Sequence, residues 1–144
     1  MKVTKELLRD LYTEYNTKYF GGELGKCDFS FFPKNIICLG SYQKKEDAKG
    51  RIKDKIWIGS FVKWNETLLQ QVLLHEMIHV YNCRVEKRFW YGILGHGRCF
   101  KKHVKRLKKE YGIILDGRKD IIDVSGKKIS PKLWERILLF LIDW

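Results

Sequence analysis

Two histidines four residues apart, with a glutamate beside the first, give the stretch His75-Glu76-Met77-Ile78-His79 the densest chemistry in this 144-residue chain. On a helix, positions i and i+4 share a face, so both imidazoles would point at one spot, the spacing of a bidentate metal site. Neutral imidazole suits zinc, and a catalytic zinc takes three protein ligands and leaves one position for water. Glu76, a quarter turn round, can take a proton from such a water without being a ligand itself. The expected cofactor is Zn2+, the expected catalytic base is Glu76, and a third ligand must come from elsewhere.

The extended metzincin pattern would place a glycine and a third histidine three and six residues beyond His79, but those positions are Asn82 and Val85. The candidates that remain are the carboxylates Glu86 and Glu110, the thiols Cys83 and Cys99, and the imidazoles His96 and His103. His96 is favoured, because Gly95 and Gly97 give the backbone freedom to turn and present it inward. His103 falls inside a helical pattern, and Cys83, four residues beyond His79, is the main rival. Three imidazoles with an open fourth position make a water-activating site rather than a closed structural one.

The elements that must position these groups follow from periodicity. Asn65 caps a helix that starts with Glu66 and runs through Leu69, Leu73, Met77 and Val80, apolar around most of its circumference and therefore buried. Polar groups on its remaining face are costly to bury unless they bind something. Thr4 caps an earlier helix carrying Leu7, Leu8, Leu11, Tyr12, Tyr15 and Tyr19, and Gly21-Gly22 stops it. Between these helices lie strand-like segments at 27–32, 36–43 and 52–58, the last two joined as an antiparallel hairpin through the polar stretch 44–51. The outer edge of either hairpin strand could accept an extended peptide.

Residues 82–97 lack a period and read as a loop over the site. A helix resumes at Arg98, with Phe100, Val104, Leu107 and Tyr111 on one side and Gly112 as its stop. Beyond it, a strand at 121–124 and a helix opened by Ser130-Pro131 form a tail that packs back on the domain. The expected class is α+β: an N-terminal helix, a small antiparallel or mixed sheet of about three strands, a buried metal helix, a second metal-side helix and a short tail. One domain spans 1–144, with its core at 4–111 and an extension at 112–144.

Net charge is +12, and its distribution is uneven. Twelve Lys and Arg against three acids fall between Arg84 and Lys119, immediately after the metal helix. A basic surface there favours polyanions, nucleic acid first, through counterion release. Arg98, Lys101, Lys102, Lys105, Arg106, Lys108 and Lys109 are the expected contacts, with Phe89, Trp90 and Tyr91 as candidates for stacking on unpaired bases of single-stranded DNA. Cys27, Cys38, Cys83 and Cys99 form no Cys-x-x-Cys pair, and no apolar run reaches membrane-span length. A cytoplasmic monomer with no membrane partner is expected.

Taken in order, Tyr19-Phe20-Gly21-Gly22-Glu23-Leu24, Leu39-Gly40-Ser41-Tyr42, His75 to His79, and Gly95-His96-Gly97 followed by Phe100 resemble the SprT-like zincin domain of the SprT/Spartan family. The resemblance covers roughly residues 4–111. It implies a zinc metalloprotease in which His75, His79 and His96 bind the metal and Glu76 is the base. It also implies protein substrates bound or crosslinked to DNA. Many members continue into a cysteine zinc ribbon, which these residues do not contain, and Arg98 stands where a proline often follows the Gly-His-Gly. Two other functions fit the same residues. One is a nucleic-acid-binding module with a structural zinc, closed by Cys83 or Cys99 and without peptidase activity. The other is a metallopeptidase indifferent to DNA.

Overall fold

A computed structural model describes residues 1–36, 38–87 and 97–115. Helix α1 (Lys5–Tyr19) begins where the Thr4 hydroxyl accepts the Leu7 N–H, 3.1 Å away, and buries Leu8, Tyr12, Tyr15 and Tyr19 along one stripe. Strands β1 (Cys27–Phe31), β2 (Gly40–Glu46) and β3 (Ile52–Ile58) form one sheet in the order β1-β3-β2. β1 runs parallel to β3 and β2 antiparallel to it. Helix α2 (Glu66–Arg84) packs on β2, and α3 (Arg98–Tyr111) packs on α2. This is the expected α+β class with a three-stranded mixed sheet.

The central position of β3 corrects one expectation. Both of its edges are paired, so it cannot accept a substrate strand, whereas among the described residues β2 has a partner on one side only.

The hairpin differs too. The ladder begins at Gly40 rather than Ile36 and runs on through Lys44, Lys45 and Glu46, residues expected in the loop. The tight closure explains it: the Asp47 carboxylate accepts the N–H groups of Lys49 and Arg51, each at 2.9 Å, and the Arg51 Nε–H at 2.8 Å. With the turn confined to a few residues, polar side chains continue as strand because they face solvent.

The core lies between α2 and the inner face of the sheet, where Ile56, Ile58, Leu69, Leu73, Leu74, Met77 and Ile78 are fully buried. α2 starts as expected, with the Asn65 side chain accepting the Leu68 N–H at 2.8 Å, and continues past Tyr81 to Arg84. α3 ends at Gly112, whose left-handed backbone (φ 69°) suits glycine and lets its N–H close on Lys108. The tail elements expected at 121–124 and from Ser130 lie outside the described residues.

Candidate active site

His75 and His79 stand on one face of α2 with ring centroids 5.0 Å apart. Phe100, from the first turn of α3, lies 4.7 Å from the His75 ring and 4.9 Å from the His79 ring. The helix spacing brings the imidazoles together, and the packing of α3 on α2 gives them an aromatic lid on one side. His79 is buried, and His75 is partly open to solvent.

Glu76 faces the sheet side of α2 and is 1% exposed. Neither carboxylate oxygen makes a hydrogen bond of full geometry. Burial pushes the carboxyl up to about 8, opposed in part by the backbone N–H of Tyr42 on β2. A carboxylate so placed is expensive to keep unless it has work to do on a group absent from the protein itself. Its neighbour explains how it fits: a Cβ at Gly40 would stand 2.7 Å from Val72 Cγ1 and 3.0 Å from Glu76 Oε1. Only glycine lets β2 approach α2 this closely.

Behind Glu76 lies a second buried acid. Asp54, on β3, accepts the Tyr42 hydroxyl at 2.6 Å, and Arg84 Nε stands 3.1 Å from its other oxygen, off the hydrogen-bonding axis. Burial raises the Asp54 carboxyl, while the Tyr42 hydrogen bond and the Arg84 charge pull it back down. The network joins β2, β3 and the last turn of α2, and so fixes the strand whose start supports Glu76. Asp54 was readable in principle: in the inward phase Ile52, Asp54, Ile56, Ile58 it is the one polar residue.

Of the candidate third ligands, His96 lies outside the described residues. Cys83 is buried in the core beside the Tyr42 hydroxyl. Glu86 and His103 are each other's partners, with Lys102 Nζ 3.2 Å from Glu86 and the Tyr81 ring 4.8 Å from His103. Glu110 lies 3.9 Å from Arg106, and Cys99 is a half-buried free thiol. Among the described residues no three His, Cys, Asp or Glu side chains gather as a metal site. The pair His75 and His79, with an orphaned carboxylate beside it, is nonetheless the donor set that a zinc ion and its water would satisfy.

The cationic helix sorts into two groups. Arg106 is half-buried, between Glu110, His103 and the Phe20 ring at 5.7 Å, and Lys102 is tied to Glu86. Arg98, Lys101, Lys105, Lys108 and Lys109 are exposed and form no ion pair among the described residues. Arg98, Lys101, Lys102 and Lys105 line a shallow hollow of about 430 Å³. Phe89, Trp90 and Tyr91 lie outside the described residues, and no described helix is long and apolar enough to cross a membrane.

The sequence model of the SprT-like family matches residues 8–120. The chain is 28% identical over 104 residues to the DNA-dependent metalloprotease dvc-1 of Caenorhabditis elegans, an alignment covering 71% of this chain and 28% of that protein. The chain thus spans little more than a quarter of that relative's length. The order of helices and strands, the paired histidines with their buried glutamate, and a family match over most of the sequence lead to one conclusion: this chain belongs to the SprT-like family.

Proposed function

We propose that the chain is a zinc-dependent endopeptidase of zincin type, acting on proteins bound or crosslinked to DNA. The observation that carries this reading is Glu76: a buried carboxylate without a full hydrogen bond, next to two imidazoles on one helix face and beneath the start of β2. His75, His79 and His96 would hold the metal. A bound zinc ion would supply Lewis acidity and an acidified water.

The protein's own groups do the remaining work. Glu76 takes the proton of the attacking water and returns it to the leaving amine, a role favoured by a carboxyl whose proton affinity burial has raised toward neutrality. The β2 edge that has no strand partner among the described residues binds substrate backbone by adding it to the sheet, with main-chain hydrogen bonds rather than side-chain pockets supplying the grip. Phe100 keeps bulk water from one side of the imidazoles. The exposed cations of α3 hold the DNA to which the substrate is attached, a reading supported by the nematode relative being a DNA-dependent metalloprotease. Residues 1–144 work as one domain, core 4–111 and extension 112–144, in the cytoplasm or on the nucleoid.

The test is cleavage of a basic protein substrate by zinc-loaded protein, with and without DNA. Glu76→Gln, which keeps size and fold, should retain the metal and lose about 10²- to 10⁴-fold in turnover. Unchanged turnover would sink the peptidase reading. Cleavage indifferent to DNA would remove only the DNA part.

A further inference from the structure

The solvent face of the sheet carries groups that neither the metal helix nor α3 explains. Lys45 on β2 and Lys53 on β3 are direct cross-strand partners, and both are exposed. Like charges opposite one another on a sheet destabilise it. Lys55, two residues along on the same face, adds a third cation, and none of the three forms an ion pair with a described residue. On this face of the strands Asp28 is the register partner of Lys55 on β1, and at the hairpin turn Asp47, already holding Arg51, also feels the charge of Lys53.

Next along β3 comes Trp57. Its ring stacks on Phe32 at 5.2 Å with 28° between planes, and both residues are only half-buried. The Trp57 Nε1–H donates to the Gln43 side chain at 3.2 Å, and Lys55 Nζ lies 5.3 Å from the Trp57 ring centroid. Covering the sheet would account for an aromatic pair alone. It does not account for opposed lysines placed beside it. Three cations followed by an oriented aromatic pair match a ligand that alternates anions with flat apolar rings.

We propose that this outer face of the sheet binds single-stranded nucleic acid. Lys45, Lys53 and Lys55 contact phosphates, and an unpaired base stacks against the Trp57–Phe32 pair. A duplex buries its base faces and fits a flat sheet poorly, which is why single strands are favoured. Lys53 and Trp57 are four residues apart, about 13 Å along the strand. The inference rests on the DNA-associated reading above and adds a second contact surface, distinct from α3. It also gives β2 two roles: its outward side chains help hold the strand, and its edge accepts the polypeptide attached to that strand.

The experiment titrates the full chain with a labelled oligothymidine, the same oligomer carrying abasic sites, a duplex of equal length and polyglutamate, over a range of salt. Wild type should bind the intact single strand most tightly. Trp57→Ala should weaken that binding about 5- to 100-fold, and the abasic oligomer should reproduce much of the loss on wild-type protein. Lys53→Glu should weaken binding and flatten the salt slope by about 0.7 or more. If Trp57→Ala does not fold, the abasic comparison and Lys53→Glu still decide.

If Lys101→Glu/Lys105→Glu on α3 abolishes binding while Trp57→Ala and Lys53→Glu leave it unchanged, the sheet proposal falls and the DNA reading stands. No binding by wild type overturns both. Equal affinity for intact and abasic strands overturns base stacking, and equal affinity for polyglutamate, lost in Lys53→Glu, overturns the nucleic-acid proposal in favour of a docking site for acidic protein.

Discussion

Glu76 and Asp54 are both carboxylates in the core, facing each other's elements across the α2–sheet interface, yet they are treated oppositely. Asp54 has a hydroxyl donor at 2.6 Å and a guanidinium at 3.1 Å; Glu76 has neither. The surroundings of Asp54 make it a structural group that ties three elements together. Those of Glu76 offer its lone pairs only the off-geometry backbone N–H of Tyr42, which is costly for stability and useful for proton transfer. A third acid, Glu86, sits nearer the surface and is partnered by His103 and Lys102. The three form a series from orphaned to fully paired.

The largest expected effect on stability comes from breaking the paired member. Asp54→Ala removes the acceptor of the Tyr42 hydroxyl and the counter-charge of Arg84 and should cost on the order of 3 kcal/mol, or roughly 10 °C in unfolding temperature. Glu76→Gln should change stability by less than about 1 kcal/mol, since it breaks no full hydrogen bond and keeps an oxygen for the Tyr42 backbone N–H. Thermal melts of the two variants side by side would erase the distinction if both fell equally.

A smaller effect is expected where the two acids' elements meet. Gly40→Ala inserts a methyl group against Val72 and Glu76 and should cost about 1–3 kcal/mol by overpacking. Because the displaced atom belongs to the proposed base, turnover should fall about 10- to 100-fold while KM for a peptide moves less. A loss of stability without loss of turnover would show that the position of Glu76 is not set by this approach.

Smallest is the response of the paired surface acid to pH. Burial holds His103 below its ordinary value of 6.5. Although burial alone would raise Glu86, hydrogen bonds from His103 and Lys102 keep it below 4.5. Both folded values lie under the unfolded ones, so the unfolded chain takes up protons first as pH drops. The contribution of this pair to stability should be flat above about pH 7 and decline by on the order of 1 kcal/mol as pH falls from 6.5 into the acid range, against the opposite slope set by the raised Glu76 carboxyl. His103→Gln should remove the upper part of that decline, as read from melting temperature against pH; an unaltered profile would assign the acid sensitivity elsewhere.

How much could be read beforehand depended on whether a feature was local. The caps at Thr4 and Asn65, the stop at Gly112 and the side-chain phase of α2 and α3 are written in neighbouring residues, and they agree with the structure. The sheet order is not local. Nothing near 27–31 says that β1 will pair in parallel with β3, and that pairing is what removes β3 as a peptide-binding edge. The extension of β2 through Lys44, Lys45 and Glu46 was hidden because solvent-facing strand residues resemble loop residues in composition. At the candidate site, spacing alone placed the two imidazoles on one helix face, where their ring centroids lie 5.0 Å apart. The need for glycine at position 40 and the Asp54–Tyr42–Arg84 network came from contacts between elements far apart in sequence. Arg106 counted as one more surface cation until Phe20 and His103 were seen to hold it.

One further consequence lies in how α3 is held. Its first turn is fixed by Phe100 against the imidazoles. Its far end is fixed by the Tyr111 hydroxyl on the Lys18 carbonyl at 3.1 Å, and by Gln71 of α2 donating to the Ile114 carbonyl just beyond, at 3.0 Å. Clamped at both ends, the helix is a ruler rather than a tether. At about 1.5 Å of rise per residue, Lys108 stands about 12 Å further along the axis than Phe100. An anion gripped there would keep that offset from the histidines, so each lysine on the exposed side marks a fixed reach from the proposed reacting centre.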